Sequence, residues 1–188
     1  MSLLPANTPP KRRQSQPNHV VNHIAIAVPD VEAAIKWYTE ILGFRKLRQT
    51  PRLTERRKTP NAAIFDIYGD ELQTLKIAFL VAGNGVGIEL FEFIEPSMTQ
   101  PASFDYTRGG VFHICLTVSD PDALCAKAVA AGAKKIGKTI CPWRHLDEDD
   151  VALYIQDPWG TVIEFLSCDF ELLMANRVEA MAPEAGSD

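Results

Sequence analysis

The sequence lacks any long apolar run. None of its apolar stretches approaches the roughly 18 residues that a membrane-spanning helix requires, and the N-terminal residues do not contain the apolar core of a signal peptide. An excess of positive charge is also missing, since the formal net charge is −5, and this gives no general attraction to nucleic acid or to an anionic membrane. We therefore expect a cytoplasmic protein that has neither a membrane nor a nucleic acid as its partner.

Cysteines are few, and their spacing excludes two further classes of protein. The four cysteines (Cys115, Cys125, Cys141 and Cys168) include no CxxC pair, so we expect neither a disulfide framework nor a cysteine-based zinc site. With 188 residues, 46% of them apolar and 23% charged, the chain has the composition of an ordinary soluble globular protein and can bury a substantial core.

An internal repeat organises the chain. The stretch 23–30, HIAIAVPD, returns as 113–120, HICLTVSD; each opens with a histidine on an alternating, strand-like pattern and ends with an aspartate suited to cap a helix. A glutamate follows a glycine in each half, within GVGIE at 85–89 and GTVIE at 160–164. Two histidines and two glutamates therefore occupy equivalent places.

Each half then predicts a helix, a short strand and a hairpin. Asp30 and Asp120 are the expected helix N-caps, and the hairpins are expected at 75–93 and 151–166. The distance from histidine to glutamate is 66 positions in the first half and 51 in the second. The 15 additional residues of the first half fall between residues 44 and 75. Here we predict a strand over 44–48, a loop over 49–60 and a short helix capped by Thr59. This insert is a candidate lid or pocket wall.

These patterns predict the following domain organisation. Residues 1–19 form a disordered tail, and residues 20–168 form a single domain with module one at 20–96, a linker at 97–108 and module two at 109–168. Residues 169–188 carry a C-terminal helix, through about Met181, and a polar tail.

The four repeated residues suggest a metal centre. A divalent cation prefers neutral imidazole nitrogens and carboxylate oxygens held on rigid elements, and strands provide that rigidity. If the halves pair around a two-fold pseudo-axis, the ligands His23, Glu89, His113 and Glu164 converge on one pocket. We expect one divalent ion (Zn, Ni, Co, Mn, Mg or Fe), which would offset the cost of burying two carboxylates among apolar neighbours.

At these residues the chain resembles the vicinal oxygen chelate superfamily, which contains glyoxalase I, methylmalonyl-CoA epimerase, bleomycin-resistance proteins and extradiol dioxygenases. The motifs that carry the resemblance extend over about residues 20–168: HIAIAVPD at 23–30, WY at 37–38 before LGF at 42–44, IELF at 88–91, GVFHIC at 110–115, and DPWG at 157–160 before Ile163-Glu164. The resemblance implies an α+β fold of two tandem βαβββ modules that form a cupped mixed sheet around a metal pocket. It also implies a homodimer and places the metal ligands at His23, Glu89, His113 and Glu164.

The resemblance implies a metal-dependent isomerase or lyase of the glyoxalase or epimerase type. A cation would stabilise an enediolate of a small oxygenated substrate while Glu164 or Glu89 moves the proton. Ala27 and Phe93 stand where glyoxalase I has its glutathione-binding arginine and asparagine, which argues against glutathione. The alternatives are an extradiol-type dioxygenase and a non-catalytic small-molecule-binding protein of the resistance type. Secondary candidates for a pocket acid or substrate clamp are Lys76, Arg144 and His145.

Overall fold

The chain folds into two βαβββ modules, each with its own sheet. In the computed structural model, residues 19–99, 104–107, 109–142 and 150–175 are described. Module one contains β1 (His23–Ala27), α1 (Val31–Glu40), β2 (Arg45–Glu55), α2 (Ala63–Tyr68), β3 (Thr74–Val81) and β4 (Gly87–Glu95). Module two contains β5 (Ile114–Thr117), α3 (Pro121–Ala130), β6 (Lys134–Ile140), β7 (Ala152–Gln156) and β8 (Val162–Leu166), and α4 (Phe170–Ala175) follows it.

The two sheets have the same topology. Their strand orders are β1-β4-β3-β2 and β5-β8-β7-β6, and in each sheet the first strand runs parallel to the last while the remaining pairs are antiparallel. The predicted α+β fold of two tandem βαβββ modules is therefore confirmed, with one four-stranded mixed sheet in each module. His23 begins edge strand β1 and His113 immediately precedes edge strand β5, and the repeated glutamates lie on the strands next to them.

The predicted helix starts of the two repeats are confirmed. Asp30 accepts a hydrogen bond from the backbone N–H of Ala33, and Asp120 accepts one from Ala123, as a helix N-cap does. Along β1 the branched residues face the interior whereas the histidine and the alanines are exposed. The small-residue face of this strand therefore remains open to a site.

The insert of module one differs from its prediction. The loop prediction for 49–60 is wrong over residues 49–55, because β2 continues to Glu55 through hydrogen bonds to β3 that lie far away in sequence. A bulge between Leu47 and Arg52 interrupts this pairing. Thr59 is not the helix cap: its N–H and hydroxyl bond the carbonyl of Glu55, and α2 begins after Ala62.

One core joins the two modules through α1. The indole Nε1 of Trp37 donates to the carbonyl of Ala131 at 3.0 Å, and the hydroxyl of Tyr38 donates to Asp157 at 2.7 Å. The same two aromatic side chains pack around Trp159. Asp157 also accepts hydrogen bonds from backbone N–H groups at the β7–β8 turn, so it ties the turn of module two to the helix of module one.

Two sequence predictions fall partly or wholly beyond these residues. Residues 1–18 and 176–188 lie outside the described residues, as do Arg144 and His145. In the part of the chain that is described, no helix has the length and apolar character needed to cross a membrane.

Candidate metal centre

His23 and Glu89 come together at the open edge of module one. The Nε2 of His23 lies 3.6 Å from Oε2 of Glu89, and half of the imidazole is solvent-exposed. The other ring nitrogen, Nδ1, lies 2.8 Å from the side-chain oxygen of Asn22. Because an amide oxygen only accepts, this contact is a hydrogen bond in the tautomer with the proton on Nδ1, and in that tautomer Nε2 is the nitrogen that can bind a metal.

Gly87 makes room for His23. The two residues are partners in the β1–β4 register, and a Cβ placed on Gly87 would lie 3.0 Å from the Cβ of His23. This is tighter than nine in ten real Cβ contacts, so a side chain at residue 87 would shift His23 by a few tenths of an ångström. Gly87 is thus a positioning residue for His23.

His113 and Glu164 form the equivalent pair in module two. The Nε2 of His113 lies 3.2 Å from Oε2 of Glu164, and this pair is more buried than the first. The Nδ1 of His113 is buried and has no hydrogen-bond partner among the described residues. The two modules therefore repeat the same imidazole–carboxylate arrangement in three dimensions as well as in sequence.

A thiol and a phenol flank Glu164. Cys115 and Tyr154 are its cross-strand neighbours on the adjacent strands β5 and β7, so both groups lie beside its carboxylate. Burial, together with the nearby Glu164 charge, raises the pKa of the Cys115 thiol to about 12 and that of the Tyr154 phenol to about 12. Both groups remain protonated at neutral pH, so they act as hydrogen-bond donors.

Glu89 has no such donors across the strands. Its neighbours at the same two places are Ala25 on β1 and Phe79 on β3. The two equivalent glutamates therefore have chemically different surroundings. A thiol and a phenol flank Glu164, whereas apolar side chains flank Glu89. The motif comparison missed this difference, although the alternation of β7 and the length of its hairpin could have paired Tyr154 with Glu164 from sequence.

The two histidines line one cavity. A cavity of about 770 Å³ is lined by His23, His113 and residues 24–27 and 159–162, among others from both modules. The four side chains nevertheless form two pairs and not one tight cluster. Among the described residues, the only group of three or more metal-binding side chains with ligand atoms within 4.8 Å of one another is Asp30, Glu32 and Glu92.

Two carboxylates of this acidic group already pair with the ammonium group of Lys76. Lys76 Nζ lies 3.2 Å from Glu32 and 3.4 Å from Glu92, and Glu92 also accepts a hydrogen bond from the backbone N–H of Val31 at the start of α1. Lys76 alternates in β3 with the residues that share the Glu89 face, so it points to the opposite face. The hypothesis that Lys76 is a substrate clamp at the histidine–glutamate site is therefore not supported.

Comparison with known proteins decides the family. Residues 20–165 match the model of the Glyoxalase/Bleomycin resistance protein/Dioxygenase superfamily. The chain belongs to this superfamily. A solved member of the glyoxalase family from Bacillus cereus has the same fold, with a TM-score of 0.65 and 19% identity, and the match covers 82% of this chain and 97% of that one.

Superfamily relatives with different activities match the chain at similar identity. A 2-epi-5-epi-valiolone epimerase from Actinomyces sp is 26% identical, and the match covers 78% of each chain. A probable lactoylglutathione lyase from Vibrio cholerae is 28% identical over 79% of this chain and 91% of its own. An iron-dependent extradiol dioxygenase from Rhodococcus jostii is 24% identical over 77% of this chain and 42% of its own. The superfamily therefore includes epimerases, lyases and dioxygenases, and these identities do not select one reaction.

Proposed function

We propose that this superfamily member is a divalent-metal-dependent isomerase or lyase that stabilises the enediolate of a small oxygenated substrate. The observation that carries the proposal is the repeated pair of a histidine Nε2 facing a glutamate oxygen, once in each module. Neutral imidazole and carboxylate are ligands for Zn, Ni, Co, Mn and Fe, and carboxylate also suits Mg. The two imidazoles and two carboxylates of His23, Glu89, His113 and Glu164 are chemically suited to such an ion, which both pairs together would hold.

The contact of His23 with Asn22 supports this fit. The side-chain oxygen of Asn22 lies 2.8 Å from Nδ1 and can hold a proton there, which leaves Nε2 as the nitrogen that would bind a cation. When bound, the ion would supply Lewis-acid stabilisation of the negative charge that develops on two adjacent substrate oxygens. The proton transfer of the reaction must then be carried out by side chains of the protein.

Within this proposal, Glu89 and Glu164 have separate roles. Glu164 keeps its position, because its cross-strand neighbours Tyr154 and Cys115 are protonated groups that can donate to its carboxylate. Glu89 lies between Ala25 and Phe79, so its carboxylate turns away from His23 without losing a hydrogen bond to either cross-strand neighbour. Glu89 takes the proton from the carbon next to the substrate carbonyl and returns it to the enediolate. Glu164, the other candidate for this step, is the better anchor because of these two neighbours.

The relatives support this reaction class more than they specify a substrate. One relative is named an epimerase and another a lyase, and proton transfer next to a carbonyl accounts for both kinds of reaction. A small-molecule substrate is proposed accordingly. The cavity that both histidines line has room for such a molecule.

A homodimer is part of the proposal. The segments that lead into the two histidines carry exposed large apolar side chains, namely Val20, Val21, Val111 and Phe112. Apolar groups of this size at a surface commonly mark contacts between proteins. Sedimentation equilibrium of the full chain tests this, with a mass of two chains expected. A cytoplasmic location is also proposed, because the spacing of the four cysteines is not that of a disulfide framework.

A dioxygenase is the second candidate, since an extradiol dioxygenase is among the relatives. This candidate requires iron and consumption of oxygen. The experiment is a screen of the metal-loaded protein in D₂O with 2-epi-5-epi-valiolone, glutathione hemithioacetals, 2-acyl-CoA thioesters and catechols. The isomerase proposal predicts deuterium at the carbon next to the carbonyl of one substrate, without oxygen uptake. Oxygen uptake with a catechol and no deuterium incorporation would replace it with the dioxygenase.

A further inference from the structure

The insert of module one encloses a second cavity. Its volume is about 250 Å³; Leu75, Ile77 and Phe79 of β3 form one wall and residues 62–64, at the start of α2, form another. Arg52 of β2 also lines it. The cavity is therefore mostly apolar and has a guanidinium at its border.

This cavity lies on the same face of the sheet as Glu89. Phe79 is the cross-strand partner of Glu89, and Ile77, two residues away on β3, is the partner of Arg52. Residues paired across strands, and residues two apart on one strand, have their side chains on the same face. Glu89, the cavity wall and Arg52 thus line one continuous surface.

The bulge in β2 places Arg52 on that surface. Leu47 and Arg52 are five steps apart on β2, whereas their partners Phe79 and Ile77 are two steps apart on β3. The extra residues are taken up by the bulge, within which Arg48 has a φ of 63°. A β-bulge commonly redirects a side chain next to an active site.

Within the described part of the chain, Arg52 is the one basic residue of the segment 52–58 without an ion-pair or hydrogen-bond partner. Of the four basic residues at 52–58, Arg56 pairs with Asp70 and lies over the Phe65 ring, and Arg57 and Lys58 both pair with Glu55. Arg52 has no hydrogen-bond or ion-pair partner among the described residues. Arg52, whose charge no described carboxylate neutralises, is therefore the basic residue of this segment that lines the cavity.

We propose that this cavity binds the distal end of the substrate, and that this end is an apolar spacer terminating in a carboxylate or a phosphate that Arg52 contacts. This inference rests on the proposed function, because it assumes that the reacting end lies at Glu89. Two strand spacings and two residues separate the Cα atoms of Glu89 and Arg52, which is on the order of 12 Å. The substrate class is thus a hydroxy-carbonyl compound whose anionic group is several bonds from the reacting carbon.

Matched pairs of ligands test the proposal. The carboxylate pair is 5-hydroxylevulinate and its neutral primary amide, and the phosphate pair is 1,5-dihydroxypentan-2-one 5-phosphate and the unphosphorylated diol; the members of each pair share the hydroxyketone end and the apolar spacer and differ in the anion. We expect calorimetric titration of the Mn²⁺-loaded protein to give about 10-fold to 100-fold tighter binding of one anionic member than of its neutral partner, as for a hydrogen bond to a charged group. Which pair shows the difference identifies the anion.

Two arginine variants make the test specific. Arg52→Met removes the proposed contact, and Arg57→Met removes an equally basic residue whose partner is Glu55. The preference for the anion is expected to disappear in Arg52→Met and to persist in Arg57→Met. Equal binding of charged and neutral members by the wild type, or equal losses in both variants, would overturn the proposal.

The same samples separate this inference from the proposed function. If the anionic ligand binds through Arg52 but no deuterium exchange follows, the cavity assignment stands and the isomerase proposal fails. If exchange occurs with neutral and anionic ligands alike, at equal affinity, the isomerase proposal stands and the cavity assignment fails.

Discussion

Tyr154 lies directly opposite Glu164 across β7 and β8, and burial together with the Glu164 charge raises the pKa of its phenol to about 12, so the phenol keeps its proton beside the carboxylate. At the equivalent place in module one, Phe79 lies directly opposite Glu89 and has no group to donate. The repeat therefore keeps the imidazole–carboxylate pair of each module while it changes the neighbour of the carboxylate. Under the proposed function, this difference makes Glu164 the anchoring ligand and Glu89 the mobile one.

Tyr154→Phe is expected to weaken divalent-metal binding about 10-fold to 100-fold, the usual effect of removing a group that orients a metal ligand. Titration with Co²⁺, followed by its visible absorption, measures this. The mirrored variant Phe79→Tyr offers Glu89 a donor and is expected to retain metal affinity while it slows deuterium exchange. Metal affinity unchanged in Tyr154→Phe would contradict the anchoring role.

The two glutamine variants are expected to fail for different reasons. Glu89→Gln loses turnover by a factor of about 10² to 10⁴, the range for a removed general base, and excess metal does not restore it. Glu164→Gln loses turnover because it loses the ion, so saturating Mn²⁺ restores part of it. Deuterium exchange measured across a metal titration distinguishes the two. Rescue of Glu89→Gln but not of Glu164→Gln would reverse the assignment.

Gly87→Ala is expected to displace His23, because the new methyl would lie 3.0 Å from the histidine Cβ. Overpacking of this kind costs about 1–3 kcal/mol, and part of the cost should appear as weaker metal binding. Gly83→Ala is the control, since a Cβ there meets nothing within 4 Å. Chemical denaturation and metal titration of both variants are the measurements; equal behaviour of the two would show that Gly87 does not position His23.

Tyr38→Phe is expected to destabilise the fold in a pH-dependent way. Burial raises the pKa of Asp157 above 3.8, and the hydrogen bond from Tyr38 opposes that rise by favouring the ionised form. The folded state thus holds this proton to higher pH than the unfolded state, so the contribution of Asp157 to stability falls as pH rises through its raised pKa.

Removal of the Tyr38 hydroxyl raises that pKa further. The destabilisation of Tyr38→Phe should therefore grow as pH increases above about 3.8 and reach about 1.5–3 kcal/mol once Asp157 is ionised, the usual value for a hydrogen bond to a charged group. Urea denaturation of wild type and variant at several pH values measures it. A difference in unfolding free energy that is constant with pH would show that the bond does not favour the charged form.

The parts of the structure that follow from local pattern could be predicted from the sequence. Asp30 and Asp120 cap helices as expected, and both histidines lie where the alternating runs begin. The pairing of each histidine with the glutamate of its own half also follows the repeat. These features depend on residues close in sequence or on two copies of one unit.

The features that depend on residues distant in the sequence could not be predicted from it. β2 extends to Glu55 because β3 pairs with it, and the bulge that turns Arg52 towards the Glu89 face belongs to that pairing. The docking of the modules rests on Trp37 and Tyr38 reaching Ala131 and Asp157, contacts that no periodicity within one module specifies. The position of the two proposed ligand pairs relative to each other is set by this docking.

Metal content is the most direct test of the central claim, that two repeated histidine–glutamate pairs hold one catalytic ion. Native protein purified without chelators should contain about one divalent ion per chain by elemental analysis, and either His23→Ala or His113→Ala should remove most of it. Two ions per chain, with each histidine variant losing only one, would make the pairs independent sites and contradict the account. So would a wild type that binds no divalent ion when titrated.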